Sequence, residues 1–472
     1  MFQEQLKYTW CGGRNAFGWD NGGHLAAERQ VEQQKTAQGL LRLMLVALAA
    51  GALTGLVGGL FRLGLEWADR ARVAVVTFAH GYPYLGWLIP VLGAAICVAL
   101  ARFLVRFEPL AAGSGVQHVE AVMRGEAEPA PPRVVSVKFV GGLLSLGAGM
   151  ALGREGPTVQ MGSVIGSWCG RRLRLPEDDI RSLQAATAGA GLGVAFNAPL
   201  GGTFFVFEEL AHVFRVRLAV MALAACAVAL GVAHLILGNP IEFNVTPPTM
   251  PGFLALAAYL GLGACLGIAA AAYNRVIVIG LNVFDRFSAY PVELRAAVVG
   301  AVVGGLAWFD PWLVGGGDVI NQRVLVGGIS LTTLAAVFLL RWFLGPFCYS
   351  ASTPGGLFAP LLVVGAAFGF LYAGVLQVLL PGLELSPVAF AIVGMSTFFV
   401  GVVRAPLTGI ALVVEMTATT TLIAPMLVAA AGALLVTTLL GSAPIYDTLR
   451  ERMLRHMPSQ PQPFDSRTSA HN

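Results

Sequence analysis

Three stretches without a single Asp, Glu, Lys or Arg constrain this sequence more than any other feature. They run from Leu218 to Ile241, from Phe243 to Asn274 and from Trp342 to Leu383. A spanning helix needs about 20 apolar residues, so each run is long enough to cross a bilayer. Composition agrees: 56% of the 472 residues are hydrophobic and 12% are charged, where soluble domains carry about 25% charged residues. The chain therefore reads as an all-α polytopic membrane protein. Its net charge of +4 is scattered among short loops, which argues against a nucleic-acid partner. Arg171, Arg172 and Arg174 form one basic cluster and Arg450, Arg452 and Arg455 another; both suit a cytoplasmic face.

Residues 1–38 are polar, lack the apolar core of a signal peptide, and are expected to form a cytoplasmic segment without fixed structure. Membrane repeats are expected over 39–240 and 241–448, followed by a cytoplasmic tail over 449–472. The six cysteines are spaced singly, and no CxxC, HExxH or Gly-rich Lys motif occurs, so neither a metal nor a cofactor is expected.

Glycines and prolines cut the apolar segments at Gly153–Pro157, Asn197–Pro199, Pro354–Pro360 and Arg404–Pro406. Broken helices at membrane depth are tolerated where the freed backbone faces protein or a polar cavity. Two of the breaks repeat. "NAPLGGTFFVFEE" begins at Asn197 and "RAPLTGIALVVEM" at Arg404; each places a Glu ten residues after its Ala, Glu208 in one and Glu415 in the other. "PTVQMG" from Pro157 and "PLLVVG" from Pro360 share a Pro-to-Gly spacing as well. Broken helices at matching places in two halves point to a transport site near the bilayer midplane.

Three glycine-bracketed helix starts could build such a site: Gly113-Ser114-Gly115, Gly153-Arg154-Glu155-Gly156-Pro157 and Pro354-Gly355-Gly356-Leu357-Phe358. Each would present free backbone N–H groups and about half a positive charge to an anion. That arrangement binds an ion without trapping it. Glu155 is the anomaly. A carboxylate at the centre of a membrane helix costs about 2.5–3.5 kcal/mol, and one helix N-terminus returns about 0.3–1 kcal/mol. Only several converging termini cover the cost, and Glu155 would then sit where a free anion also sits. The competing reading is an ion pair with Arg154, which neighbouring positions on a helix disfavour. Ser114 also has a plain alternative, as a helix cap, and Glu208–Glu209 as a solvated helix end.

The ordered motifs "GSGVQHVE", "VKFVGGLLSLGAGMALGREGPTVQMG", "FNAPLGGTFFVFEEL", "PGGLFAP" and "GSAPIY" resemble those of the CLC chloride channel and transporter family, bacterial members most of all. The resemblance implies a homodimer with a pore in each subunit, built from two inverted-topology repeats of tilted and broken helices in a bacterial inner membrane. It implies an anion held by the hydroxyls of Ser114 and Tyr446 and by backbone N–H groups at Leu357 and Phe358. Glu155 matches the gating glutamate, and Glu209 the internal proton-passing glutamate of the exchangers, where channels commonly carry an apolar residue. Glu120 and Lys138 match an acid and a lysine and are expected to form a buried pair. Retention of Ser114 and Tyr446 favours chloride, with bromide and nitrate permeating, and disfavours a fluoride exporter. Gln117 stands where the family usually has Pro. The expected function is an electrogenic chloride/proton antiporter. The rival readings are a passive chloride channel and an intramembrane acid–base enzyme, the latter lacking any nucleophile–base pair near either glutamate.

Overall fold

The computed structural model describes residues 21–82, 84–238, 242–246, 248, 252–253, 255–382 and 385–456, with side chains from 38 to 455. Seventeen α-helices occur among the described residues. The first eight are α1 Asn21–Ala79, α2 Leu88–Leu104, α3 Val116–Met123, α4 Arg133–Gly147, α5 Glu155–Arg172, α6 Glu177–Phe196, α7 Pro199–Phe205 and α8 Val216–Leu237. The next eight are α9 Ala255–Arg286, α10 Val292–Phe309, α11 Asp318–Leu325, α12 Leu331–Ser350, α13 Phe358–Leu379, α14 Pro387–Val403, α15 Pro406–Thr417 and α16 Ile423–Leu439. The last, α17, is Ile445–His456. Among the described residues, six helical stretches are long and apolar enough to cross a membrane: Gln38–Ala79, Val216–Leu237, Ala255–Arg286, Val292–Phe309, Leu331–Ser350 and Phe358–Leu379. This is a multi-pass membrane protein.

Two sequence expectations shift at the ends. The helix α1 already begins at Asn21, inside the segment expected to lack structure, while residues 1–20 lie outside the described residues. The expected tail from residue 449 starts inside α17, and 457–472 lie outside the description. So does the expected division between the halves at 240 and 241.

The same packing occurs twice. α5 lies against α6 as α13 lies against α14, and α1 runs along α8 as α9 runs along α16. Between the halves, α2 pairs with α10 and α7 with α15. The contact chemistry repeats too. Gly51 and Gly55 face the backbone of Ala225 and Ala229 on α8, and Gly263 and Gly267 face that of Ala429 and Ala433 on α16. A Cβ at any of the four would collide with that backbone. Lipid-embedded helices gain little from hydrophobic contrast with their surroundings, so such small residues let backbones approach and pack.

The breaks fall where the sequence places them. α6 ends on Asn197 and α14 on Arg404, both left-handed caps with φ of 56° and 77°, and each is followed by Ala-Pro starting the next helix. The repeated glutamates then close a reciprocal pair of caps. Glu415 accepts from the N–H groups of Leu200 (3.0 Å) and Gly201 (2.8 Å) at the start of α7. Glu208 accepts from those of Leu407 (3.0 Å) and Thr408 (2.8 Å) at the start of α15. Each half supplies the acid that satisfies the other's free helix N-terminus.

Candidate anion and proton site

α5, α6, α13 and α14 form the buried centre, and the loops that open α3, α5 and α13 meet there. Gly153 and Gly356 exchange two backbone hydrogen bonds, 2.8 Å from the Gly153 N–H and 2.7 Å from the Gly356 N–H. The Gly355 N–H donates to the Gly113 carbonyl at 3.1 Å. The glycines are needed for this closeness: a Cβ on Gly356 would stand 2.6 Å from Glu155 Oε1, and one on Gly156 would strike the Ser114 hydroxyl. Gly113 and Gly115 also hold left-handed backbone, with φ of 60° and 86°, which suits glycine. Pro157 lies in the first turn of α5, where its missing N–H costs no helical bond.

Glu155 is the first residue of α5 and fully buried. Its Oε1 accepts from the backbone N–H of Phe358 at 2.6 Å and of Ala359 at 3.2 Å, the first two residues of α13. Its Oε2 has no partner among the described residues. The side chain thus lies across a helix N-terminus, a natural anion site. Leu357, the residue before α13, is also fully buried. Ala359 was absent from the sequence-level site, and the Glu155 contact brings it in.

Two buried hydroxyls stand close by. Ser114 and Tyr446 are both fully buried with their hydroxyls facing each other, and neither makes a hydrogen bond of ordinary geometry among the described residues. Gly115, not Ser114, caps α3, so the Ser114 hydroxyl is not spent on capping. Tyr446 is the second residue of α17, and Asn274 Nδ2 steadies the strap before it by donating to the Ala443 carbonyl at 3.1 Å. The Tyr446 ring meets the edge of Phe358 at 5.5 Å. Phe196, Phe205 and Phe399 also surround Phe358, so its side chain packs while its N–H serves the site. Unpaired buried donors are rare in folded proteins, and two of them beside an occupied helix N-terminus fit an anion.

One pairing differs from expectation. Glu120 and Lys138 do not form a pair. Lys138, on α4, reaches the N-terminal end of α3, where its Nζ donates to the carbonyls of Gly113 (2.5 Å) and Ser114 (3.1 Å). Glu120 lies beyond the first turn of that helix and binds Arg124 at 2.5 Å, with Arg450 at 3.7 Å. The length of α3 keeps the two charges on separate tasks. Arg154 turns from Glu155, as their adjacency on the helix led one to expect: Nε donates to the Ala195 carbonyl at 2.8 Å, and its guanidinium pairs with Glu242 and Asp318. Glu242 also holds Arg62 at 2.9 Å. The sequence signal for Glu242 was present, since it is the lone acid between two charge-free runs.

Glu209 sits in a π-helical turn, Val206–Leu210, closed by the Ala211 N–H on the Val206 carbonyl at 2.8 Å. Such turns gather at functional sites. Glu208 turns to its cap while Glu209 is buried, with Glu120, Asp447 and Arg124 as charged neighbours. A solvated helix end does not describe either residue. Among the described residues no group of three His, Cys, Asp or Glu side chains is placed to hold a metal ion.

The profile of the family described as "Voltage gated chloride channel" matches residues 93–438. The chain belongs to the CLC family. It is similar to the H(+)/Cl(-) exchange transporter ClcA of Vibrio parahaemolyticus, 37% identical over 422 residues, which is 88% of this chain and 90% of that protein. The ClcA protein of Salmonella arizonae is 34% identical over 433 residues, 90% of this chain and 91% of its own length. Among solved structures, a slow cyanobacterial Cl-/H+ antiporter aligns with a TM-score of 0.84 at 33% identity, covering 88% of this chain and 99% of the other. A CLC-type fluoride/proton antiporter shares the fold with a TM-score of 0.71 at 20% identity.

Proposed function

We propose that the protein is an electrogenic chloride/proton antiporter. The observation that carries this reading is the Glu155 carboxylate on the N–H groups of Phe358 and Ala359, beside the two unpartnered hydroxyls of Ser114 and Tyr446. A carboxylate and a chloride ion want the same donors. When Glu155 takes up a proton it loses its charge, its hold on α13 weakens, and an anion replaces it. When it returns it gives up the proton and expels the anion. Glu209, buried near Arg124 and Asp447, passes the proton between Glu155 and the cytoplasmic side. Gln117 is the second residue of α3 and tunes preference among chloride, bromide and nitrate.

Chloride moving one way and protons the other carry current in the same direction, so transport is electrogenic. The dimer is part of the proposal. α7, α8, α15 and α16 leave Leu200, Leu223, Leu407, Ile423 and Leu427 exposed, a surface suited to a second copy in a bacterial inner membrane. The halves are proposed to divide near residue 240. The test is a chloride gradient across liposomes holding the purified protein, with external pH recorded and potassium and valinomycin present to carry the balancing charge. Chloride-driven proton uptake against its own gradient supports the antiporter; anion flux without proton movement supports a channel and overturns it.

A further inference from the structure

α10 packs along α2 and stands off from α9 and α12, leaving a groove of about 1100 Å3 between them. Pockets that enclose a small organic molecule run about 300–1,000 Å3, so this one has room for an extended hydrocarbon chain. Its walls include Ile279, Phe287, Val298, Leu339 and Phe343, all exposed. Only Tyr290, Arg295 and Ser350 bring polar side-chain atoms to it, and the Ser350 hydroxyl is engaged with the Pro346 carbonyl at 2.8 Å. Arg295 closes one end, where its Nη1 donates to the Phe284 carbonyl at 2.5 Å and its buried Nε has no partner among the described residues.

That end is basic. Arg102, in the last turn of α2, has Glu293, Arg295 and Arg106 as its charged neighbours. Glu293 is engaged by Arg106, so Arg102 and Arg295 are left without an acid of their own. Arg286 ends α9 two residues beyond Phe284. The polypeptide thus places a hydrocarbon-lined trough beside a surplus of guanidinium groups, where α9 ends and α10 begins.

We propose that this groove is a binding site for an anionic phospholipid, with one acyl chain lying between α9, α10 and α12 and the phosphate at Arg295 and Arg102. An acyl chain that leaves the bilayer for an apolar groove moves between like environments, because lipid tails are as apolar as Leu. The trough therefore admits the tail and discriminates little. The headgroup decides. Each arginine near the surface favours an anionic lipid by roughly five-fold, and two unneutralised arginines give a preference on the order of ten-fold or more over a zwitterionic lipid. A guanidinium also matches phosphate oxygens two at a time, which the unpartnered Nε of Arg295 permits.

Native mass spectrometry of the purified protein in detergent tests this, with dioleoyl phosphatidylglycerol or dioleoyl phosphatidylcholine added in turn. Wild type is expected to retain the anionic lipid about ten-fold more than the zwitterionic one. The double variant Arg102→Gln/Arg295→Gln should retain both alike. Val298→Trp, on the open wall of the groove, should reduce retention of both. Unchanged elution volume and chloride flux establish that each variant is folded. Equal retention of the two lipids by wild type, or a preference that survives the arginine variant, overturns the proposal. So does a Val298→Trp protein that keeps its lipid but changes its oligomeric mass, which would make the groove an interface between copies of this chain.

Discussion

Replacing Glu155 by Gln isolates the charge on the side chain from its size and reach. The carboxylate accepts two backbone hydrogen bonds, from Phe358 and Ala359. A bond to a charged acceptor contributes about 1.5–3 kcal/mol and a neutral one about 0.5–1.5 kcal/mol, so the amide gives up about 1 kcal/mol per bond. Two bonds make about 2 kcal/mol, or roughly 30-fold in an equilibrium constant. On the proposed mechanism, wild-type protein would bind chloride at this position only in the fraction of molecules from which Glu155 has withdrawn, and its apparent affinity would be reduced by that fraction. The variant should therefore bind chloride roughly 30-fold more tightly in calorimetric titration at neutral pH. It should also carry chloride through liposomes without moving protons. Unchanged chloride affinity, or proton coupling that survives, would refute the reasoning that carboxylate and anion share one set of donors.

The other predictions touch separate parts of the structure. Glu209→Val should abolish proton movement and leave chloride flux, read in the same liposomes; full coupling in that variant would remove Glu209 from the path. Gly356→Ala places a Cβ 2.6 Å from Glu155 Oε1 and 2.8 Å from the Gly156 nitrogen, so it should displace the carboxylate and impair coupling, measured as protons moved per chloride. Glu242→Ala leaves Arg62 and Arg154 without their shared acid; breaking a buried pair costs about 3–5 kcal/mol, and thermal unfolding in detergent should show a clear loss of stability. Glu208→Ala and Glu415→Ala each remove one of the reciprocal caps, and a lost cap costs about 0.5–2 kcal/mol. The two losses should be alike in the same thermal assay.

Much of this was legible in the sequence because chemistry at membrane depth leaves few choices. A chain that must avoid charge reveals each charge it keeps, which is how Glu155 stood out, whereas Glu209 was singled out by the family resemblance. Clustered Pro and Gly interrupt helices where a lone Gly does not, so the starts of α5, α7, α13 and α15 followed from Gly153–Pro157, Asn197–Pro199, Pro354–Pro360 and Arg404–Pro406. What escaped were partnerships set by three-dimensional position. Lys138 has two carbonyls as partners, and a backbone carbonyl carries no mark in a sequence. Glu120 found Arg124 four residues on, a spacing visible along the helix but outweighed by the family pattern of an acid and a lysine. Ala359 contributes only its N–H, which any residue except proline has. The reciprocal caps of Glu208 and Glu415 were half visible: the repeat was plain, yet nothing in either segment says that each acid reaches across to the other.

The central claim is that protons and chloride exchange through one shared position, and coupling of that kind must run in both directions. The direct test uses vesicles with equal chloride on both sides, a pH difference as the only gradient, and valinomycin with potassium to hold the voltage at zero. Protons flowing down their gradient should drive net chloride movement in the opposite direction until a chloride gradient stands against them, and Glu155→Gln should abolish that movement. Chloride that stays at its equal distribution while the wild-type pH gradient is maintained would contradict the account.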